Sequence, residues 1–185
     1  VAGGIRTVAA AEEVLNRGAD KISVNSPAIK QPALIDELAR RFGSQCVVVG
    51  IDSRRVGDHW QIYFNTGDPE RTAAAERRTV DWVREVESRG AGEIVLNCMS
   101  HDGVRDGYDC QQLAAVRAVC TLPLIASGGA GGKAHFAEVF RRARVDGALA
   151  ASVFHSGELP VPELKAYLAG AGIVVRHESE PESSQ

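Results

Sequence analysis

The chain has 185 residues, 44% of them hydrophobic and 24% charged, with a net charge of −3. This composition is typical of a globular domain with enough apolar residues to form a core. The slight acidity, without a basic patch interleaved with aromatic residues, argues against nucleic-acid binding. Its apolar runs are far shorter than the roughly 18 residues that span a bilayer, so we expect no membrane contact. A small-molecule ligand is the better expectation.

The cysteines and histidines show no spacing that is typical of a metal site. There is no CxxC motif, and the histidines are scattered along the chain. We therefore predict reduced core thiols in a cytoplasmic protein, with no metal and no cofactor. The cysteines are Cys46, Cys98, Cys110 and Cys120, and the histidines are His59, His101, His135, His155 and His177.

Apolar runs alternate with amphipathic segments along the chain, which predicts parallel strands joined by helices. The predicted strands are 1–2, 21–25, 46–51, 93–98, 122–127 and 147–152. Thr7 is placed to cap the first helix, Pro32 to open the second and Gly43 to end it. Residues 53–70 interrupt the alternation, and they predict a β-hairpin with its turn near Gly57-Asp58.

An internal two-fold repeat of strand, glycine turn, helix, strand and small polar turn is visible in the sequence. Gly3-Gly4 matches Gly128-Gly129, and Ser26 matches Ser152, about 125 residues later in each case. Glycine turns let the backbone approach a ligand, and the N–H groups of a following helix favour an anion. We call Gly4, Asn25 and Ser26 the first grip, and residues 127–131 with Ser152 the second grip. The pair predicts a substrate with a phosphate at each end.

The number of strands bears on whether this is an open α/β sheet or a (β/α)8 barrel, which has eight strands and about 250 residues. If segments about 125 residues apart are equivalent, the segments that correspond to residues 46–120 in the other half of the repeat would precede Val1. We therefore expect a partial barrel over 1–177, from the end of its third strand through its eighth helix. Roughly 75 to 80 residues, with the first two to three strands, would be absent. The acidic stretch 178–185 predicts a disordered tail.

Two aspartates follow predicted strands, at the end where barrels place their active sites. Asp52 follows 46–51 and is the first catalytic candidate, with a helix cap or loop carboxylate as the alternative. Asp102 follows 93–98 and precedes Gly103, so it could orient a substrate hydroxyl or phosphate. An ordinary Asp-Gly turn explains it equally well.

Polar side chains also lie on the predicted strands themselves. Ser23, Asn25 and Asn97 would offer hydroxyl and amide groups to a ligand, or to one another, because buried polar groups need partners. Lys21 and Glu93 begin their strands, so they would lie at the opposite mouth of a barrel. Such charges are often only a solvated face that serves stability.

Seven sequence blocks together resemble a known family. They are VAGGI (1–5), GADKISVNS (18–26), FGSQCVVVGID (42–52), GAGEIVLN (90–97), DGVRDGYD (102–109), LIASGGAGG (124–132) and ALAASVFH (148–155). Over residues 1 to about 176 the chain resembles the cyclase subunits of imidazole glycerol phosphate synthase, from histidine biosynthesis. One difference is Ala2, where that family usually has the first of three consecutive glycines.

The resemblance implies a two-fold-repeated (β/α)8 barrel and a lyase activity. The enzyme would take ammonia from a partner glutaminase subunit, and its substrate would be a ribulosyl-type aminoimidazole carboxamide nucleotide with two phosphates. The products would be imidazole glycerol phosphate and aminoimidazole carboxamide ribonucleotide.

The resemblance also assigns roles to residues. In that family two aspartates act as general acid and base; Asp52 matches the one after the fifth strand. The other would lie ahead of Val1, so we expect this chain to be inactive alone. Lys21 and Glu93 match a charged gate for ammonia, and Asp20 lies at the glutaminase docking face. The residues that match substrate or phosphate contacts are Gly4, Asn25, Ser26, Asp102, Gly128, Gly129 and Ser152.

Two other functions stay open. The related phosphoribosyl isomerase of the same pathway uses the same scaffold without a glutaminase, although the blocks at 43–52 and 148–155 favour the cyclase. A non-catalytic phosphate-binding module built on half a barrel is the third possibility. A substrate assay with and without ammonia separates the two enzymes.

Overall fold

The computed structural model of the chain describes residues 1–176, in which strands alternate with helices. The strands are β1 (Ile22–Val24), β2 (Val47–Val56), β3 (His59–Phe64), β4 (Ala73–Arg78), β5 (Glu93–Cys98), β6 (Leu124–Ser127) and β7 (Gly147–Leu149). The helices are α1 (Val8–Asn16), α2 (Ser26–Lys30), α3 (Ala33–Phe42), α4 (Thr79–Ser88), α5 (Cys110–Arg117), α6 (Lys133–Ala143), α7 (Ser152–His155) and α8 (Val161–Gly170). The predicted tail, 178–185, lies outside the described residues.

Local sequence signals set the helix ends where they were predicted. The Thr7 hydroxyl accepts a hydrogen bond from the Ala10 amide at 3.2 Å, which satisfies one of the free donors at the start of α1. Gly43 ends α3 with a φ of 86°, a left-handed conformation that glycine adopts without steric cost. No helix among residues 1–176 is long and apolar enough to cross a bilayer.

The parallel part of the sheet follows chain order. β1 pairs with β2, β2 with β5, β5 with β6 and β6 with β7, while Ala2 adds a parallel bridge to Ser23. Because crossovers between parallel strands are right-handed, a strictly sequential order places all the connecting helices on one face. The α/β class is confirmed. Within residues 1–176, β7 and Ala2 are not paired with each other, so the described sheet is open.

The two faces of this sheet differ in burial. On the face under the helices, Ile22, Val49 and Ile94 are fully buried, as are Leu124 and Ala126. Their strand neighbours point the other way and form what we call the inner face, which is only partly buried. The inner face comprises Ser23, Val48, Gly50, Asp52, Val95, Asn97, Ile125, Ser127, Gly147 and Leu149. This face carries the predicted site residues at its carboxyl end.

The hairpin predicted over 53–70 is present, and it is larger than expected. β2 continues past the predicted strand end to Val56 and turns through Gly57-Asp58 into antiparallel β3. β4 then returns along β3, a strand that the sequence pattern did not predict. The 65–72 connection between β3 and β4 is thereby brought back over the carboxyl ends of β1 and β2.

The two-fold repeat is visible in backbone conformation. Gly3 and Gly4 have φ values of 87° and 76°, and Gly128 and Gly129 have 91° and 106°, so both turns use the left-handed region. In each half the second strand is followed by a short helix, α2 beginning at Ser26 and α7 at Ser152. Neither short helix was predicted; the predicted strand 147–152 ends at Leu149 instead.

Candidate active site

Asp52 lies at the centre of the site, held by three side chains. Its carboxylate, with the residue only 8% exposed, accepts hydrogen bonds from Asn25 Nδ2 at 2.6 Å and Thr66 Oγ1 at 2.5 Å on Oδ2. Asn97 Nδ2 donates to Oδ1 at 2.9 Å. Asn25 follows β1 and Asn97 lies on β5, so strands on both sides of β2 supply donors. An ionised carboxylate only accepts, and these donors satisfy it without a salt bridge.

The two asparagine side chains leave their carbonyl oxygens free. Because each amide points its Nδ2 at Asp52, each Oδ1 faces away, and both Oδ1 atoms are buried without a partner in the described structure. Buried acceptors of this kind are costly unless something donates to them. Flanking Asp52, they are suited to accept hydrogen bonds from the N–H groups of a ligand.

A cavity of about 770 Å³ opens on the β1 side of Asp52 and holds the first grip. Its lining includes the predicted residues Gly4, Ser23, Asn25 and Ser26. Three cationic side chains, Arg6, Lys30 and Arg71, also line it, together with Asp68 and Gly67 from the 65–72 connection. A Cβ added at Gly3 or Gly4 would meet no atom within 4 Å, so these glycines are required by their φ and border open space.

A second cavity, of about 320 Å³, lies on the β6 and β7 side and holds the second grip. Its lining includes all the remaining residues predicted to contact substrate, namely Asn97, Asp102, Gly103, Gly128, Gly129 and Ser152. Packing constrains the glycines here: a Cβ on Gly129 would lie 2.1 Å from the Gly107 carbonyl oxygen. The second grip therefore packs tightly against the loop between β5 and α5, whereas the glycines of the first grip have no such packing contact.

The second cavity contains a cation that is already paired. Arg105 lines the cavity and forms a two-contact ion pair with Glu158, one contact at 3.2 Å. Hydrogen bonding and charge from Glu158 raise the pKa of Arg105, and Arg105 lowers the pKa of Glu158 below its ordinary range. The pair joins the loop after β5 to the loop after α7, on either side of the second grip.

The residues predicted at the opposite end of the sheet also come together. Lys21 Nζ donates to Glu93 Oε2 at 2.6 Å, across the amino-terminal end of β2. The Lys21 side chain is 50% exposed and that of Glu93 18%. Asp20 is exposed beside them. The structure thus has charged groups at one end of the sheet, and Asp52 with both grips at the other.

Sequence reasoning missed the residues of the 65–72 connection and the cations of the first cavity. Thr66 and Arg71 lie in what the sequence presented only as a hairpin, and no local signal says where a hairpin tip folds back. Lys30 and Arg6 could have been noted as charges beside the first glycine turn and Ser26.

Comparison with known proteins shows the family to which this chain belongs. Residues 1–160 match the family described as Histidine biosynthesis protein. The chain belongs to this family. It is 60% identical over 176 residues to the imidazole glycerol phosphate synthase subunit HisF of Maricaulis maris, covering 95% of this chain and 69% of that subunit. It is 63% identical over 177 residues to the HisF of Xanthomonas campestris and 61% identical to that of Xylella fastidiosa, with the same coverage.

These relatives bear on the functions left open by the sequence. Each carries the name of the synthase subunit, so the resemblance drawn from the seven sequence blocks is confirmed at the level of the family. Neither the related isomerase nor a non-catalytic module is favoured. The match also spans both grips and Asp52, which all lie between residues 1 and 160.

Proposed function

We propose that this chain is the cyclase subunit of imidazole glycerol phosphate synthase. It uses ammonia to convert a bis-phosphorylated ribulosyl aminoimidazole carboxamide nucleotide into imidazole glycerol phosphate and aminoimidazole carboxamide ribonucleotide. The observation that carries this proposal is that Asp52 is hydrogen-bonded both to Asn25, which lines the first cavity, and to Asn97, which lines the second, and that the two cavities hold equivalent glycine and serine turns. A substrate with a phosphate at each end fits that arrangement.

Asp52 is proposed to transfer protons during ring closure. A positioned carboxylate close to the reacting atoms serves as a general acid or base, and this one is shielded from water and held on both oxygens. The resemblance implies a second aspartate, after the first strand of the barrel, for the opposite proton transfer. Fixing both phosphates holds the reacting atoms over Asp52 without further loss of freedom.

The two grips are proposed to bind the two phosphates. Ser26 and Ser152 each begin a short helix beside a left-handed glycine turn, and each lines its own cavity. Between the cavities, the free Oδ1 atoms of Asn25 and Asn97 are suited to the amine and amide N–H groups of the carboxamide moiety. Asp102 and Gly103 would complete the contacts at the second cavity.

We further propose that the five parallel strands belong to a (β/α)8 barrel that includes residues 1–177. Sequential strand order with helices on one face is the winding of a barrel. The inner face would then be the barrel interior. A complete barrel needs further strands between β7 and Ala2, and the relatives are longer than the segment that they share with this chain.

The opposite end of the sheet is the proposed entry for ammonia. Lys21 and Glu93 form a charged pair at the amino-terminal ends of the strands, where it could gate a path along the inner face. Asp20, exposed beside the pair, would contact the glutaminase partner. The four cysteines are free thiols, as expected of an enzyme in the reducing cytoplasm.

A hybrid protein tests the proposed activity. In this hybrid, the present chain replaces the matching segment of the Maricaulis maris subunit. The remaining part of that subunit, outside the matching segment, is kept unchanged. We expect ammonia-dependent formation of imidazole glycerol phosphate, measured by product chromatography, at a rate within about tenfold of the relative's own rate. The same assay on the 185-residue chain alone should give no product. A hybrid that folds but produces nothing with ammonia would refute the proposed function.

A further inference from the structure

The contacts of Asp52 assign different tasks to its two oxygens. Within residues 1–176, Oδ2 accepts two hydrogen bonds, from Asn25 Nδ2 and Thr66 Oγ1, whereas Oδ1 accepts one, from Asn97. A carboxylate oxygen offers about two lone-pair sites, so Oδ2 is saturated and Oδ1 keeps one site free. A proton would therefore be exchanged with a ligand at Oδ1.

We propose that Thr66 is a positioning residue for Asp52, which occupies Oδ2 and thereby leaves Oδ1 as the atom that transfers the proton. This role rests on the proposed function. Asn25 and Asn97 come from the strands on either side of β2, but Thr66 comes from the 65–72 connection between β3 and β4. Among the donors to Asp52 from the described part of the chain, only Thr66 depends on the hairpin.

The connection is built to hold Thr66 in place. Asn65 has a φ of 57°, a left-handed conformation that asparagine tolerates, and it turns the chain sharply at the end of β3. The Asp68 amide then bonds the Asn65 carbonyl at 3.1 Å, and the Thr72 amide bonds the Asp68 carbonyl at 2.9 Å. Both are backbone bonds, so a side-chain substitution at residue 72 leaves them in place. A closed turn of this kind fixes the direction of Thr66.

The connection is also tied to the first grip. The Asn65 amide donates to Ser26 Oγ at 2.8 Å. Since Ser26 Oγ accepts this bond, its own O–H remains free to donate to a phosphate in the first cavity. One short segment therefore links the position of Ser26 at the first grip to the orientation of Asp52. Hairpin residues beyond Thr66, including Arg71, extend along the same cavity.

Kinetics of the hybrid test the role of Thr66. Thr66→Val removes the hydroxyl while keeping the branched shape, so Oδ2 keeps only the bond from Asn25 and, like Oδ1, then has one lone-pair site free. We expect kcat to fall about tenfold and KM to stay within about threefold, because the lost interaction acts on the carboxylate and not on a phosphate. Thr66→Ser restores the hydroxyl and should keep kcat within about threefold of the unsubstituted hybrid.

Thr72→Val is the matched control. It removes a threonine hydroxyl from the same connection, but one that bonds only backbone carbonyls. We expect kcat within about threefold of the unsubstituted hybrid. An equal loss of kcat in both valine variants would mean that order in the connection matters and the bond to Asp52 does not. Unchanged kcat in Thr66→Val would overturn the proposal directly, while the proposed function would stand.

Amide hydrogen exchange gives a readout that does not need activity. In the full 185-residue chain, Thr66→Val should speed exchange of the 65–72 amides about fivefold, the loss expected for one hydrogen bond of about 1 kcal/mol. Thr66→Ser should match the unsubstituted chain. If the unsubstituted hybrid makes no product, the proposed function fails, and this measurement still decides whether Thr66 anchors the connection to Asp52. Identical exchange in all three proteins would overturn the anchor.

Discussion

Asp52 shows how a carboxylate can be buried without a cationic partner. Three neutral donors meet it, and two of these are amides whose other ends are free acceptors. A lysine or arginine in the same place would hold the carboxylate charge more firmly and leave less freedom to exchange a proton. Within residues 1–176, Asp52 is therefore held by hydrogen bonds alone, with no ion pair.

The first prediction concerns Asp52→Asn in the hybrid. We expect turnover to fall by at least about a thousandfold, since the amide cannot accept and return a proton, while substrate affinity stays within about tenfold. The fold should survive, because the Asn97 amide can rotate to present its Oδ1 to the new NH₂ group. Product assays and titration calorimetry with substrate measure the two effects. Turnover close to that of the parent would make Asp52 a structural residue.

Residue identities were predictable where they follow from strand position. Asp52, Asn25 and Asn97 were each chosen because they lie at or beyond the carboxyl end of a buried strand, and the structure brings all three within hydrogen-bond distance. Thr66 could not be found in this way. Its contact with Asp52 depends on the length and pairing of β3 and β4, and the Ala-Ala-Ala-Glu-Arg-Arg sequence of β4 carries no strand signal.

At the scale of elements, the two grips are built from equivalent turns but differ electrostatically. The first cavity has Arg6 and Arg71 at its lining, and neither forms an ion pair within residues 1–176. The second cavity is lined by Arg105, which forms an ion pair with Glu158. An anion entering the first cavity meets available positive charge, whereas one entering the second must compete with a carboxylate.

The second prediction follows from that competition. Glu158→Gln should tighten sulfate binding at the second grip about three- to tenfold, because Arg105 becomes available to the anion. Chemical shifts of the Gly128 and Gly129 amides in the hybrid report this site separately from Gly4. Glu138→Gln, which breaks the ion pair with Arg142 at the far end of α6, is the control and should change nothing.

The pH dependence of the same binding is the third prediction. Arg105 holds the pKa of Glu158 below its ordinary range, so the ion pair is intact at neutral pH and is lost only as pH falls through that lowered pKa. Sulfate keeps its charge in this range. The gain in sulfate affinity that comes from loss of the ion pair should therefore appear only below pH 5, and it should be absent from Glu158→Gln measured at the same pH values. A rise in sulfate affinity centred near the ordinary pKa of glutamate would show that the Arg105–Glu158 ion pair is not formed in solution.

Whole elements were predicted best where apolar pattern and end signals coincide. β5 was predicted with its observed bounds, Glu93–Cys98, and Gly43 ended α3 as expected. Short helices were missed: α2 has five residues and includes Pro27, and α7 has four. Such elements are fixed by the turns on either side and have too few residues for helical periodicity to appear.

On the scale of the whole molecule, burial should control which thiols react. Desolvation raises the pKa of Cys98, Cys110 and Cys120, so these stay protonated and unreactive at pH 8. Cys46 is only half buried. Our fourth prediction is that iodoacetamide modifies Cys46 first in the folded chain and all four in urea, as mass spectrometry will record. Early modification of Cys98 would mean that β5 opens readily.

The inner face determines how the isolated chain behaves in solution. Val95 and Ile125 are partly exposed on it, and Leu149 is 47% exposed. The sheet also ends at β7 on one side and at Ala2 on the other, and neither edge is paired further within the described residues. Apolar surface beside unpaired strand edges favours association between copies.

The fifth prediction is that the 185-residue chain forms oligomers at micromolar concentration, whereas the hybrid sediments as a monomer in analytical ultracentrifugation. Leu149→Lys should shift the chain toward monomer, because it places a charge on the associating face. Val174→Lys is the control, since Val174 is 98% exposed but lies outside the sheet, and it should leave association unchanged. If Leu149→Lys and Val174→Lys reduced association equally, the cause would be the added charge and not the loss of apolar surface on the inner face. A monodisperse chain that turns over substrate at the hybrid's rate would contradict both the barrel and the two-aspartate mechanism, because neither could then require strands beyond those described.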